Sequence, residues 1–278
     1  MGLDIPSAEQ TYGWKETALY ALGIGVATDP LALDELPFVY EKDMRVMPTM
    51  AGVLAHPGFW ARDLDTGIDW VKVVHGEQGL VLHKPLPAAA TVIGINRVVE
   101  VIDKGLGRGA LVFTERKVYE KSTGDHLATV SQTTFCRGDG GFGGLERPQP
   151  APHKLPDRAP DLVCDLPSQA NLALVYRLSG DYNPLHADPA VAKAAGFDRP
   201  ILHGLATYGI ACHALVRSVC GYRPEQLASM GARFTSPVFP GETFRTEIWR
   251  DANVVSFQVR CLERDVIAIS NGRAELRP

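Results

Sequence analysis

An aspartate and a histidine stand five positions apart in a segment rich in turn-forming residues, "SGDYNPLH" at 179 to 186. Asp181 and His186 are residue types used in general acid–base catalysis, because a loop can hold a carboxylate and an imidazole against one water molecule. A plain turn, or a cap on the next helix, would also explain Asp181 and Asn183. It would not explain the histidine. We therefore predict that Asp181 and His186 are a catalytic pair and that Asn183 supports the loop.

Other kinds of site fit this sequence less well. Asp-x-Asn resembles the start of a calcium loop, but Leu185 and His186 stand where that pattern needs Asp or Asn and then Gly. No G-x-S-x-G elbow of a serine hydrolase is present. The glycine cluster "GLGRG" at 105 precedes a predicted strand, whereas a nucleotide-binding loop opens a helix. The sequence therefore predicts no metal site.

A predicted helix N-terminus supplies a third chemical component. In "RPILHGLATYGIACHAL", Pro200 keeps its predecessor extended and an apolar run follows Gly204, so the free N–H groups of the helix lie near His203 to Leu205. Such N–H groups stabilise negative charge on a ligand oxygen, and Gly204 would let that oxygen approach the backbone. The alternative role of Gly204 is close contact between helix and sheet. For His203 we expect a structural role.

A carboxylate, an imidazole and an oxyanion-binding amide together suit one class of reaction. They can add water across a double bond conjugated to a carbonyl, because the amide stabilises the enolate-like oxygen while the side chains move protons. Which of Asp181 and His186 takes the proton from water stays open at this stage, since the two groups are expected to titrate as a coupled pair.

The elements that position these residues occur twice along the chain. Matching residues of the two halves stay 152 to 156 positions apart, as in the pairs Tyr20 and Tyr176, Pro30 and Pro184, and Pro85 and Pro237. The first half has Ala32 where the second has His186, and no aspartate aligns with Asp181. Only the second half therefore keeps both polar groups.

Each half predicts one long apolar helix, opening at "VMPTM" or "ILHGL", followed by strands with alternating polarity and no helices between them. This order indicates an α+β fold in which an antiparallel sheet wraps around a helix, a hot-dog arrangement present twice. We predict a degenerate first repeat at 1 to 136, a Gly- and Pro-rich linker at 137 to 160, and a catalytic second repeat at 161 to 278.

Composition restricts the partners and the compartment. The 278 residues are 45% hydrophobic and 22% charged, with a formal net charge of -4 and no run of Lys or Arg, which argues against nucleic acid or an anionic membrane as partner. Five scattered cysteines signal neither a disulfide framework nor a zinc site. No secretory signal and no segment near ~20 apolar residues is present. We expect a cytosolic protein.

The stretch "YRLSGDYNPLHADPAVA" resembles the signature of the MaoC-like (R)-specific enoyl-CoA hydratases, also called hydratase 2. Five more blocks in the same order resemble the hydratase unit of peroxisomal multifunctional enzyme type 2: "LYALGIGVA", "VHGEQGLVLHKPLP", "GDGGFGG", "AGFDRPILHGL" and "ARFTSPVFPGETFRTEIW". The resemblance extends over nearly the whole chain.

The resemblance implies a double hot-dog fold and reversible hydration of trans-2-enoyl-CoA to (3R)-3-hydroxyacyl-CoA, with no cofactor beyond the CoA of the substrate. It implies catalysis by Asp181 and His186, support by Asn183, and a hydrogen bond from Gly204 to the thioester oxygen. Lys84 and Phe234 match positions that contact the CoA ester in the family. A degenerate first repeat is associated there with a wider acyl channel, so medium or long chains are expected.

Two alternatives stay open within this reading. One is a dehydratase acting on an acyl-carrier-protein thioester or on a branched or dicarboxylic CoA ester. The other is a non-catalytic acyl-CoA binding module, which would bind without turnover. Retention of the Asp181 and His186 pair in one repeat favours catalysis. The repeat further predicts a compact two-lobed protomer that forms a homodimer.

Overall fold

The computed structural model describes residues 3 to 143 and 151 to 278. Within them, ten strands form one antiparallel sheet in the order β1-β3-β4-β5-β2-β7-β10-β9-β8-β6. The strands are β1 (Ala8–Tyr12), β2 (Val73–Leu82), β3 (Ala90–Asp103), β4 (Ala110–Glu120), β5 (His126–Cys136), β6 (Leu162–Pro167), β7 (Leu227–Phe234), β8 (Thr243–Asp251), β9 (Val254–Cys261) and β10 (Val266–Leu276). Strands of the first repeat occupy one half of the sheet and strands of the second repeat the other half.

A pseudo-twofold axis passes between the two central strands, β2 and β7. They pair antiparallel, and Gly79 lies opposite Gly231, 152 positions further along the chain. This separation equals the offset between Pro85 and Pro237, so the repeat in the sequence is a repeat in space. The Glu77 carboxylate accepts a hydrogen bond from Arg233 Nε at 2.9 Å across the same pair of strands. The α+β double hot-dog prediction is confirmed by this sheet.

The second half has the long helix that its sequence predicts, α5 (Gly204–Ser218), and its residues from Ala206 to Val216 are all buried. Shorter α-helices are α1 (Trp14–Gly23), α2 (Trp60–Asp63), α3 (Leu172–Tyr176) and α4 (Pro189–Ala194). A Cβ atom at Gly209 of α5 would lie 2.4 Å from Ile24 Cγ2 in the first half. The helix therefore packs against both repeats, which share one hydrophobic core.

The prediction of a long helix in the first half is wrong. Its segment forms only a 3-10 helix, Pro48–Gly52, followed by turns. The chain offers eight residues between Pro48 and Pro57, and a proline disfavours helical geometry in the residue before it. Ala55 adopts a left-handed conformation at φ 46°, which also ends any helix. The first lobe therefore lacks the helix that fills the second.

The connection between the repeats begins after Cys136 and ends where β6 starts at Leu162. Part of the predicted linker, residues 144 to 150, lies outside the described residues. The part from 151 onward runs along the second repeat, where Trp249 Nε1 donates to the Arg158 carbonyl at 2.7 Å. In the described ranges, no helix combines the length and apolar character needed to cross a membrane.

Candidate active site

The loop that carries Asp181 and His186 is built from local hydrogen bonds. Gly180 enters it with φ 121°, a conformation that favours glycine. Asp181 Oδ1 then accepts the backbone N–H of Asn183 at 3.2 Å. The Asn183 side chain accepts the N–H of Leu185 at 3.0 Å and caps the 3-10 helix Pro184–His186. The predicted supporting role of Asn183 thus has a geometric form: it fixes the turn that presents His186.

The hydrogen bonding of His186 determines its tautomer. His186 Nδ1 lies 2.9 Å from the carbonyl oxygen of Ile201. A carbonyl oxygen only accepts hydrogen bonds, so Nδ1 carries the proton and Nε2 of the neutral ring has a free lone pair. The side chain is 8% exposed. His186 is therefore held as a neutral imidazole whose acceptor nitrogen is available to a ligand.

His203 joins the pair from the N-cap position of α5. Its ring stacks on that of His186 with centroids 3.7 Å apart, and its Nε2 donates to the Asp181 carbonyl oxygen at 3.2 Å. Side-chain ligand atoms of Asp181, His186 and His203 all lie within 4.8 Å of one another. His203 thus connects the catalytic loop to the helix, which gives content to the structural role expected for it.

Burial keeps both stacked histidines neutral near pH 7. Desolvation is the main cause that lowers the pKa of His203 to about 4, and the neighbouring His186 lowers it further. The pKa of His186 is also lowered, again mainly by desolvation, against opposing contributions from the Ile201 carbonyl and Asp181. A neutral imidazole is the form that can accept a proton.

One carboxylate and two imidazoles in a single cluster raise the question of a metal ion. Zinc binds imidazole nitrogen at ~2.0 Å along the lone pair, which lies in the ring plane. The two rings lie face over face, with centroids 3.7 Å apart and planes inclined by 29°, so an ion between the ring faces would lie out of both ring planes. This geometry disfavours a shared ion and favours proton transfer at the cluster.

Gly204 and Phe234 lie beside the catalytic loop. A Cβ atom at Gly204 would meet the Phe234 ring at 3.5 Å, an ordinary van der Waals contact, so helix packing does not require glycine here. The close helix contact considered for Gly204 is therefore not what the structure shows. The first backbone N–H groups of α5 remain available to a ligand oxygen in front of Phe234.

Two histidines of the first repeat, His75 and His56, lie near the same site, and neither was predicted from the sequence. His75 at the start of β2 contacts the Phe234 ring edge-on, with centroids 4.8 Å apart. The pKa values of His75 and His56 are lowered to about 4, mainly by desolvation, and each is affected by the charge of Asp181. The register of β2 with β7 could have predicted His75, since Glu77 pairs with Arg233, the neighbour of Phe234.

Lys84 is not part of this cluster. It follows the far end of β2, nine residues from His75, or ~30 Å along an extended strand. Its Nζ pairs with Asp125 at 2.6 Å. Lys84 therefore lies apart from the catalytic pair, and its contact with the CoA ester stays a prediction.

Lys84 instead lines a pocket of about 190 Å³ at the pseudo-symmetric position. The residues that line this pocket include the repeat counterparts of three residues at the catalytic site. Leu82 matches Phe234 and Leu227 matches His75, each at an offset of 152, and Pro48 aligns with His203. The hollow thus has apolar residues at the positions that match His75, Phe234 and His203, and charged residues elsewhere on its wall: Arg45, Lys84, Glu225 and Arg277. A larger pocket of about 270 Å³ lies around Gly79 and Gly231 and is likewise separate from the catalytic cluster.

Comparison with known families and proteins agrees with this arrangement. Residues 10 to 138 match the MFE-2 hydratase 2 N-terminal domain, and residues 152 to 272 match the MaoC like domain. The chain is 44% identical over 241 residues to 3-hydroxyacyl-thioester dehydratase Y of Mycobacterium tuberculosis, covering 85% of this chain and 81% of that protein. It is 37% identical to the peroxisomal enoyl-CoA hydratase 2 of Arabidopsis thaliana, covering 98% and 93%.

Solved structures show the same fold. A MaoC-like dehydratase from Phytophthora capsici superposes with a TM-score of 0.88 at 32% identity, covering 99% of this chain and 96% of that one. A double hot-dog protein of Mycobacterium tuberculosis superposes with a TM-score of 0.60 at 16% identity, covering 99% and 94%, and supports the fold alone.

Proposed function

The chain belongs to the MaoC-like hydratase 2 family and is a hydro-lyase acting on enoyl-CoA, and we propose that Asp181 and His186 carry out the reaction in its second repeat. The product would be the (3R)-3-hydroxyacyl-CoA. The observation that carries this proposal is the neutral His186 ring: its Nδ1 donates to the Ile201 carbonyl, which leaves Nε2 as an acceptor, and the ring lies in one cluster with the Asp181 carboxylate, with ligand atoms within 4.8 Å.

The residues divide the reaction as follows. The thioester oxygen accepts a hydrogen bond from the N–H of Gly204, where the positive end of α5 stabilises the developing enolate. Asp181 and His186 hold one water molecule against C3. As its oxygen bonds to C3, one proton passes to the pair and the electrons of the double bond move toward the thioester oxygen. The pair then returns a proton to C2 as the carbonyl re-forms.

His186 is the first proton acceptor in this proposal. Its free Nε2 lone pair and lowered pKa make it a neutral base at pH 7, the form that can remove a proton from water. Asp181 accepts a hydrogen bond from the second O–H of the water, which stays in the product hydroxyl, and stabilises the imidazolium that forms on His186. His203 orients Asp181 through its backbone carbonyl and supports the face of His186.

The missing helix of the first lobe supports medium or long acyl chains as substrates. Only the 3-10 helix Pro48–Gly52 occupies the position that α5 fills in the second repeat. The test is to follow loss of the conjugated enoyl absorbance for trans-2-enoyl-CoA esters of increasing length. We expect kcat/KM to rise from short chains to trans-2-decenoyl-CoA. A maximum at the shortest substrate would contradict the chain-length proposal.

The dehydratase alternative is the same chemistry run in reverse, and the mycobacterial relative bears that name. Competition between a CoA ester and the matching acyl-carrier-protein thioester would show which of the two substrates the enzyme prefers.

Three further proposals accompany this function: no cofactor, a homodimer, and a cytosolic location. The buried, unpaired state of all five cysteines suits a reducing compartment. Light scattering that gives a monomer would contradict the dimer.

A further inference from the structure

A buried arginine, Arg116 of β4, lies in the first lobe and takes no part in the proposed mechanism. Its side chain is on the core-facing side of the sheet and only 7% exposed, between strand partners Asn96 and Val130. Arginine is rarely buried unless it is paired with an acidic group. Within residues 3 to 143 and 151 to 278, no carboxylate lies within ion-pair distance of Arg116. Burial lowers its pKa to about 10.

The hydrogen bonds of Arg116 use only part of its guanidinium. Nη2 donates to the carbonyl oxygens of Gly52 at 2.5 Å and Ala51 at 3.4 Å. Nε is buried without a hydrogen-bond partner among the described residues. Since a guanidinium has five N–H donors in a rigid fork, most of its donors remain unused.

Contacts with the 3-10 helix fix where this group lies. The carbonyl groups that accept from Arg116 belong to the last two residues of the Pro48–Gly52 helix. The Arg116 side chain also packs beside Ala55, since a Cβ atom at Gly94 would contact both Arg116 and Ala55. The guanidinium is therefore held in the part of the first lobe where the second lobe has its long helix.

His56 connects Arg116 to the catalytic cleft. It follows Ala55 in the chain, and its pKa is affected by the charges of both Arg116 and Asp181. The His56 side chain is exposed, yet desolvation is the main cause of its lowered pKa, as expected for a group that lines a concave surface. His56 is thus close enough to both Arg116 and Asp181 for their charges to affect its pKa, and its chain neighbour Ala55 lies beside Arg116.

A purely structural role explains this arrangement incompletely. Capping two carbonyls needs the two N–H bonds of one NH₂ group, and a neutral amide side chain would supply them without burying a charge. An unpaired buried cation is destabilising, because nothing in the protein offsets the loss of its hydration. A charge kept at that cost in a substrate-facing lobe indicates a partner that arrives with the substrate.

We propose that Arg116 binds a carboxylate at the distal end of the acyl group, so that the preferred substrates are trans-2-enoyl-CoA esters with an ω-carboxylate. This inference rests on the proposed hydratase function, since it assigns the acyl chain to the first lobe. A carboxylate matches the planar fork of a guanidinium and can accept two parallel hydrogen bonds. His56, neutral at pH 7, would lie along the path of the chain.

The experiment compares trans-2-enoyl-CoA esters with their ω-carboxylated counterparts over a series of chain lengths, in the wild type and in Arg116→Met. Methionine keeps an extended apolar side chain and removes the charge. At the best length, we expect the wild type to favour the ω-carboxylated ester by about 10- to 100-fold in kcat/KM, the range for a hydrogen bond to a charged group. Arg116→Met should abolish this preference and leave turnover of the plain ester within about threefold of the wild type.

Lys117→Met is the matched control, because it also removes one positive charge from β4. The Lys117 side chain lies on the opposite face of the strand and is 40% exposed. This variant should keep the wild-type preference. A second measurement does not depend on turnover or on the folding of a variant: calorimetry of decanedioyl-CoA and decanoyl-CoA binding to the wild-type protein. We expect tighter binding of the dicarboxylic ester.

The outcomes separate this inference from the proposed function. Turnover of plain esters by the wild type without any preference for an ω-carboxylate overturns the Arg116 proposal and leaves the hydratase function intact. The same preference in Arg116→Met as in the wild type also overturns it. Absence of turnover with every ester contradicts the hydratase function, and the calorimetric comparison then decides the carboxylate site alone.

Discussion

Replacement of His186 by alanine tests the assignment of the general base. The substitution removes the neutral ring whose Nε2 faces the Asp181 carboxylate, and it leaves the loop bonds of Asp181 and Asn183 in place. Loss of a positioned general base costs typically ~10²- to 10⁴-fold in rate, which is about 2.7 to 5.4 kcal/mol at 1.36 kcal/mol per decade. We expect kcat of His186→Ala to fall by this range with a smaller change in KM.

The same substitution has a limited effect on stability. It leaves the Ile201 carbonyl without its donor, which costs ~1–3 kcal/mol, a minor part of the ~5–15 kcal/mol that stabilises a typical domain. For a chain of this size each kcal/mol lowers the melting temperature by roughly 2–4 °C. The variant should therefore stay folded at 25 °C, with a melting temperature lower by several degrees.

The assay follows loss of the conjugated enoyl-thioester absorbance, with His213→Ala as matched control. His213 is also a buried histidine, 1% exposed, on α5, but it pairs with Glu35 at 3.0 Å, outside the catalytic cluster. Its removal leaves the buried Glu35 carboxylate with the Ala27 N–H and the more distant Arg217, so stability should fall at least as much. Turnover should stay near wild type. Near-normal kcat in His186→Ala, or an equal loss in both variants, would refute the assignment of His186.

Three further predictions follow from the same geometry. Asp181→Asn keeps the acceptor oxygen for Asn183 but loses the charge that stabilises the imidazolium, so kcat should fall by at least ~10²-fold with an unchanged circular dichroism spectrum. Gly204→Ala should leave the melting temperature unchanged or higher, because Phe234 leaves room for a methyl group, yet lower kcat/KM by ~10-fold or more as the methyl group occupies the approach to the helix N–H groups; wild-type kinetics would exclude Gly204 as the donor. Because the pKa of His186 is lowered, kcat/KM should be constant at neutral pH and fall only as pH drops below 6.5; a decrease that begins above pH 6.5 would contradict the neutral base. Stability should decline as pH falls from 6.5 to 4, because the unfolded chain binds protons at histidines that, like His203 and His75, have a pKa of about 4 in the folded protein.

Most of the fold could be predicted because the repeat leaves a constant offset in the sequence. The offset of 152 between Pro85 and Pro237 reappears as the pairing of Gly79 with Gly231 at the centre of the sheet. The prediction of a long helix in the first lobe is wrong because it rests on the similarity of an apolar segment to its counterpart in the second repeat. Pro57, which limits the segment to eight residues, carried more information than the apolar pattern.

The candidate site could be predicted in part. Asp181, His186 and Asn183 lie in one short segment, so their proximity follows from local sequence. The position of His75 depends on the pairing of the two repeats across the axis, and that of Arg116 depends on the packing of β4 against the Pro48–Gly52 helix, neither of which a local pattern encodes. Lys84, which was matched by motif, lies at the far end of β2 and lines the pocket at the pseudo-symmetric position, so its separation from the catalytic pair follows from the length of the strand.

The stereochemistry of the product tests the central claim most directly. The protein would be mixed with trans-2-decenoyl-CoA, and the 3-hydroxy product separated on a chiral column. One cluster, composed of Asp181, His186 and the N-terminus of α5, presents water to one face of the double bond, so we predict turnover to the 3R product alone. A 3S product, a racemic mixture, or binding without turnover would contradict the account.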